Sequence, residues 1–430
     1  MGLVDAAVVG RLGAGPLGAV GLANGLFLGV AIIGIGVMMG LDPLLSQAIG
    51  AGDERRASEL LWQGVWLAAL STVVLALPAA LLPLILRPAG IAPDIAADAS
   101  AFMWMRLPGL FPMLVFVGLR AVLQARGKVR ALVVATVIAN VANLGLDILF
   151  VFGWRFIPAM GARGAALATS LCSLLQMAIL AVAVRSPERV PRAPRMRDLR
   201  LALSLGVPVG LQMGAEVFVF ALVGLLAGRF GKVSLAAHEV ALSLASFTFC
   251  GAVGVGQAGS VRVGWAIGAG NSSAARRSGL VAFAGGAGIM GLAALLFFLV
   301  PRPLARLLTD QEDVIAATIP LLAVCAVFQI SDGVQAVGAG VLRGAGQTRF
   351  SFIANVVGHY FVGLPVAILL GIVLGRGVIG LWWGLCAGLT AVAIALLARF
   401  AAVSSREMRP LEAHPGRAHV PRANVLADGD

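Results

Sequence analysis

Five carboxylates interrupt stretches of sequence that are otherwise apolar: Asp5, Asp147, Glu216, Glu239 and Asp332. An acid held in hydrocarbon is costly and has no cheap structural purpose, so each is a candidate for moving a proton or a cation. Asn143 and Asp147 are four residues apart and project from one helical face. Thr169 falls at a similar depth in the next apolar stretch, and Asp5 lies just below the outer end of the first. Four oxygen-bearing groups at one depth suit a proton, or a hard cation such as Na+. Glu216 and Asp332 are the deepest acids, each near the middle of its stretch, and suit one shared cation site with Na+ as the candidate metal. Asn143 and Thr169 also fit a plainer role as hydrogen bonds between helices. His238 and Glu239 stand at the outer start of a stretch, where interfacial solvation is cheap and a structural or gating role fits. Arg106 and Arg120 are placed to snorkel or bridge rather than to bind a substrate.

What must position these groups follows from composition. Of 430 residues, 60% are hydrophobic and 12% charged, against about 25% charged in a soluble domain. Such a chain cannot hide its apolar surface from water, so its solvent is the lipid bilayer. Disorder, a disulfide scaffold and a coiled coil are excluded. The net charge of +12 does not point to nucleic acid, which needs a basic face on a polar domain; here the cations sit between apolar blocks. Cys172, Cys250, Cys325 and Cys386 each lie inside an apolar block, without metal-ligand spacing. The glycine runs are not phosphate cradles, since no Lys follows at P-loop spacing. No cofactor is expected.

Spans are expected near 17–42, 58–86, 101–123, 131–153 and 161–184, then 201–227, 235–262, 278–300, 315–341, 350–375 and 377–400. A short apolar start, residues 1–10, precedes them. An internal repeat accounts for the odd number. At a shift of 218 positions, Gly10-Arg11-Leu12-Gly13 falls on Gly228-Arg229-Phe230-Gly231, and Ala48-Ile49-Gly50-Ala51-Gly52 on Ala266-Ile267-Gly268-Ala269-Gly270. At 219, Val122-Leu123 falls on Val341-Leu342 and Gly127 on Gly346. The expected fold is therefore an all-α integral membrane protein of twelve transmembrane helices in two pseudo-symmetric six-helix lobes. Residues 1–184 form the first lobe, 185–200 a linker, 201–403 the second lobe and 404–430 a polar, disordered tail. On this reading the first helix is incomplete, and the upstream reading frame should encode about 15 further apolar residues. Parallel repeats of this kind recur in transporters, with the substrate path between the halves.

Sorting cations by alternate loops places twenty of the 32 on one side, including Arg56, Arg126, Arg195, Arg343 and the tail arginines. By the positive-inside rule the linker and both termini face the cytoplasm.

At this point the residues resemble the multidrug and toxin extrusion (MATE) family, in its bacterial NorM-like branch. The resemblance rests on Met1-Gly2-Leu3-Val4-Asp5 with Val9-Gly10-Arg11-Leu12-Gly13, on Ser46-Gln47-Ala48 with Gly50-Ala51-Gly52, and on Ala236-Ala237-His238-Glu239-Val240-Ala241-Leu242. Ser260-Val261-Arg262-Val263-Gly264 and Val341-Leu342-Arg343-Gly344 extend it over nearly the whole chain. It implies two lobes forming a V around a central cavity, and export of amphipathic, often cationic drugs in exchange for H+ or Na+. The family's N-lobe acid falls on Asp5, with partners on Asn143, Asp147 and Thr169; its C-lobe cation site falls on Glu216 and Asp332. Some Na+-coupled members carry a Tyr one turn before that Asp, where this chain has Phe328. That departure removes a polar group beside the site, at a position that also suits the cavity or a gate. The truncated start is a second departure.

The expectation is a monomeric, multi-pass secondary transporter of the bacterial inner membrane, not an enzyme. A lipid-linked precursor flippase would want several cavity cations, and few Arg lie within spans. A membrane-embedded transferase would need a clustered catalytic set, and a channel would not need acids in both halves.

Overall fold

The computed structural model describes residues 2–155, 157–184 and 190–412. The helices run in chain order as α1 (Gly2–Val9), α2 (Ala14–Met38), α3 (Leu41–Gly50), α4 (Glu54–Leu86), α5 (Pro93–Arg106), α6 (Leu110–Ala125), α7 (Arg130–Phe152) and α8 (Ala162–Ala183). They continue as α9 (Met196–Gly228), α10 (Lys232–Gly268), α11 (Ser272–Leu299), α12 (Pro301–Arg306), α13 (Glu312–Gly344), α14 (Thr348–Val356), α15 (Leu364–Ile368) and α16 (Gly377–Ser404). Among the described residues there is no strand beyond one isolated bridge, Trp154 with Ile157. Among the described residues, eleven helical stretches are long and apolar enough to cross a membrane, and each overlaps an expected span. The real helices overrun the apolar segments, as with Lys232–Gly268 against the expected 235–262, because backbone hydrogen bonding continues into the polar ends. The short start is the eight-residue helix α1.

Apolar residues face outward in helical register, which is what lipid solvation requires. On α4, Val73, Leu77, Leu81, Leu84 and Ile85 are all exposed, Val73 to 73%. With the eleven stretches, this makes the chain a multi-pass membrane protein.

Two compact units divide the chain, one through Leu41 with Glu54–Gly214, the other Asp42–Asp53 with Ala215 onward. In the first, α2 meets the early part of α9 through two small-residue pairs. A Cβ on Gly36 would stand 2.4 Å from the Gly210 Cα, and one on Gly206 would stand 2.0 Å from the Val37 carbonyl oxygen. Gly36 and Gly40, like Gly206 and Gly210, are four apart, the spacing that lets membrane helices touch backbone to backbone. Gly206→Ala is therefore expected to cost about 1–3 kcal/mol by overpacking, seen as a lower melting temperature of the detergent-purified protein; an unchanged melting temperature would mean that α9 shifts freely at this point. In the second unit, α10 and α13 meet in the same way, with Gly340 against Gly256 and Gly344 against Ser260. Gly36 and Gly256 thus permit close helix contact, while Gly254 faces no neighbour within 4 Å.

Several cations that the loop sorting grouped on one side are paired. In the first unit, Arg56 holds Asp198 at 2.7 Å, Arg195 holds Glu59 at 2.5 Å and Arg126 holds Glu54 at 3.0 Å. In the second, Arg343 and Asp42, both nearly buried, lie 3.2 Å apart. Residues 405–412, which the sequence assigns to the tail, dock on the second unit. Met408 donates its amide to the Ser272 hydroxyl at 3.0 Å and Leu411 donates to the Gln47 side chain at 2.8 Å. Met408 is an apolar side chain with a place to bury. The rest of the tail and residues 185–189 of the linker lie outside the described residues.

Candidate functional site

The first cluster is set by a helical hairpin. α7 ends at Gly153 (φ 77°) and α8 begins after Gly161 (φ 55°), left-handed positions that suit glycine. Between them Trp154 and Ile157 exchange backbone bonds of 3.0 and 2.8 Å, and the Met160 amide donates to the Phe150 carbonyl at 2.9 Å. Gly164 lets α8 lie against α7, since a Cβ there would meet the Phe150 oxygen at 2.5 Å. This register brings Asn143 and Asp147 of α7 level with Thr169 of α8, and α1 adds Asp5.

All four side chains are buried. The Thr169 hydroxyl lies 2.9 Å from both Asp5 carboxylate oxygens, and Asn143 Nδ2 donates to Asp5 Oδ1 at 3.2 Å. Asn143 Nδ2 also lies 3.2 Å from Thr169 Oγ1. Asp147 is close enough to Asp5 to couple with it electrostatically. Both Asp147 oxygens and Asn143 Oδ1 are buried without a hydrogen-bond donor among the described residues. Donors therefore converge on Asp5, while lone pairs remain free on Asp147 and Asn143. Two carboxylates held near each other out of water, one with its oxygens unbonded, make a place where a single positive charge is welcome.

The second cluster lies in the other compact unit. Glu216 of α9 accepts a hydrogen bond from Gln335 Nε2 of α13 at 2.5 Å and another from Asn355 Nδ2 of α14. Asp332 of α13 is buried and close enough to Glu216 to couple with it electrostatically. Gln335 follows Asp332 by three residues and so shares its helical face. The Tyr360 hydroxyl donates to the Ala215 carbonyl at 2.8 Å, tying the next segment to α9 beside Glu216. That segment, Val357–Gly363, is a π-helical stretch just before Pro365. Proline lacks an amide to continue the α-ladder, and π-bulges let a helix aim polar side chains that a regular helix would turn away.

The remaining candidates fall nearby in the same unit, in an aromatic group. Phe328, one turn before Asp332, packs edge-on to Trp382 at 5.5 Å and to Phe220 at 6.2 Å. His238 is buried with its ring 5.8 Å from Trp382, and neither ring nitrogen has a hydrogen-bond partner among the described residues. Glu239, the next residue, is exposed. The structure thus gathers Asp5, Asn143, Asp147 and Thr169 into one cluster and couples Glu216 with Asp332. It places Phe328 and His238 in packed aromatic surroundings and leaves Glu239 apart.

Sequence reasoning passed over Gln335, Asn355 and Tyr360. Each carried a signal: Gln335 by its spacing from Asp332, Asn355 as an amide inside an apolar span, and Tyr360 as the chain's single tyrosine. Among the described residues no group of three or more His, Cys, Asp or Glu has the arrangement of a metal centre. Oxygen-rich pairs without a nucleophile and base suit ion exchange rather than bond-making chemistry.

Comparison with known proteins agrees. The MatE family model matches residues 1–149 and 208–369. A probable multidrug resistance protein NorM of Deinococcus radiodurans is 35% identical over 412 residues, covering 93% of this chain and 90% of that one. A multidrug resistance protein NorM of Burkholderia vietnamiensis is 34% identical over 418 residues, covering 93% and 89%. Among solved structures, the Vibrio cholerae MATE transporter VcmN in its bent form superposes with a TM-score of 0.83 at 22% identity, covering 94% of this chain and 92% of that one. With a family match across more than half of the chain and relatives above 30% identity over nearly all of it, this chain belongs to the MATE family, whose members are transporters and not enzymes.

Proposed function

We propose that the protein is a secondary active exporter of amphipathic, cationic organic compounds, driven by antiport with H+ or Na+. The observation that carries this reading is a buried carboxylate cluster in each of the two compact units, one centred on Asp5 and Asp147, the other on Glu216 and Asp332. The names of the NorM relatives support a multidrug substrate range. In this reading the protein is a monomer of the bacterial inner membrane with both ends of the chain in the cytoplasm, as the charge bias argues.

The mechanism is alternating access, with the repeat-related lobes 1–184 and 201–403 rocking between states. An acid exposed outward takes up its coupling ion and lets substrate go; exposed inward, it releases the ion and accepts substrate. Exchange needs only that ion and substrate favour different states. Asp5 and Asp147 hold a shared proton, with Thr169 and Asn143 as the donors that steady Asp5 when it is ionised. Glu216, steadied by Gln335 and Asn355, and Asp332 bind the coupling cation of the second cluster. His238, Glu239 and Phe328 act through packing or gating around that cluster.

A dye-efflux assay in drug-sensitive cells tests the reading. Cells expressing the protein should expel ethidium faster than cells without it, and the rate should fall when the proton and Na+ gradients are both collapsed. Equal rates with and without the protein would remove the exporter assignment. A rate insensitive to both gradients would remove antiport.

A further inference from the structure

An arginine belongs to the first cluster. α5 and α6 are separated by the short 3-10 turn Leu107–Gly109, whose Pro108 interrupts the helical ladder. This break sits against α8 next to Thr169. The Ser170 hydroxyl lies 2.9 Å from the Met105 carbonyl, and a Cβ on Gly109 would stand 2.9 Å from the same hydroxyl. The two contacts hold the α5–α6 break, and Arg106 within it, against α8 next to Thr169. Its guanidinium lies over the Phe27 ring at 4.8 Å, Phe27 is 2% exposed, and the arginine Nε is buried without a hydrogen-bond partner among the described residues. Both Asp5 and Asp147 are within electrostatic reach of it. Cys172 of α8 also faces the pair.

We propose that Arg106 sets the ion specificity of this cluster: its fixed positive charge stands beside the Asp5–Asp147 pair as a resident cation, so the pair exchanges a proton and does not take Na+. The inference rests on reading the cluster as a coupling site. Two carboxylates and one guanidinium carry one net negative charge, and a single proton neutralises it. A proton needs only one oxygen and is shared with the next. Na+ needs several oxygen ligands at once; Thr169 and Asn143 already turn hydrogens toward Asp5, which leaves the two Asp147 oxygens and Asn143 Oδ1, and it is the guanidinium charge that disfavours Na+ on them. Na+ would also lie close to the guanidinium where screening is weak, so the repulsion is large. Stacking on Phe27 holds the guanidinium in place at little solvation cost.

The test isolates the first cluster by removing the acids of the second. In purified Glu216→Gln/Asp332→Asn protein, Na+ binding is measured by calorimetry and by the Na+-dependent shift in melting temperature, with K+ as control. With Arg106 intact, no Na+-specific binding is expected. Adding Arg106→Gln should create it, about ten-fold tighter or more than in the parent, and adding Asp5→Asn should then abolish it. Arg106→Lys, which keeps the charge, should remain insensitive to Na+. A merely structural arginine would not move this selectivity. Na+ binding that needs Asp5 while Arg106 is present overturns the proposal, as does a folded Arg106→Gln variant that gains none. Should Arg106→Gln fail to fold, the Arg106-intact and lysine arms decide alone. Wild-type dye efflux is read separately, so a failure of the exporter reading leaves these binding results standing.

Discussion

Asp5→Asn should bring dye efflux down to the level of cells lacking the protein, while the variant still reaches the membrane in normal amount. The substitution removes the charge and keeps the shape. Asp5 accepts from the Thr169 hydroxyl and from Asn143 Nδ2. An amide in its place still offers an oxygen to Thr169, and its NH2 finds the Asn143 Oδ1 that lacks a donor. The fold should therefore lose no more than about 1 kcal/mol, the net worth of one hydrogen bond. What disappears is the site where an ion is taken up and released. For an uncharged substrate, an ion crossing about 100 mV supplies about 2.3 kcal/mol, enough to sustain roughly a 50-fold gradient; a monovalent cation exchanged one for one is driven by the ion's concentration gradient alone, and an uncoupled carrier forfeits either drive. The measurement is initial efflux rate per unit of membrane-resident protein, beside a melting curve of the purified variant. Export at the wild-type rate would take Asp5 out of the mechanism.

The second large effect is expected at Asp332→Asn, which should also abolish gradient-driven export. Asp332 is buried, couples to Glu216 and lies one turn beyond Phe328 in the aromatic group. Removing its charge leaves Glu216 still held by Gln335 and Asn355, so the local packing should survive and the melting temperature should change little. Direct substrate binding to the purified protein, followed by dye fluorescence polarisation, separates coupling from binding. Binding retained with export lost places Asp332 in ion coupling. Wild-type export in this variant would leave the first cluster to drive transport alone.

Much of this was visible along the chain. The acids at Asp5, Asp147, Glu216 and Asp332 stood out because a carboxylate in an apolar run is anomalous whatever surrounds it. Asn143 and Thr169 followed from helical periodicity and from depth counted away from one turn. The helix count followed from hydropathy, which depends on one segment at a time. Gln335 and Asn355 were less visible, since an amide in a membrane helix carries no charge penalty to flag it. Arg106 reads along the chain as a side chain that snorkels or bridges, and its distance in sequence from Asp5 and Asp147 gives no sign of which groups it bridges to or that the α5–α6 break rests on Ser170.

The amino-acid sequence by itself determined that lipid is the solvent, where the spans run and which acids are out of place. Each of these is a local cost, set by the transfer of one segment or one side chain out of water. The tertiary structure alone decided which groups share a site. That Thr169 bonds Asp5, that Gln335 and Asn355 meet on Glu216, and that Arg106 comes within electrostatic reach of two aspartates all depend on helices distant in sequence coming into contact. Those contacts are fixed by glycine crossings such as Gly36 with Gly210, by the Gly153–Gly161 turn and by the π-helical stretch before Pro365. Their geometry is a property of packed pairs of helices, which no single segment carries.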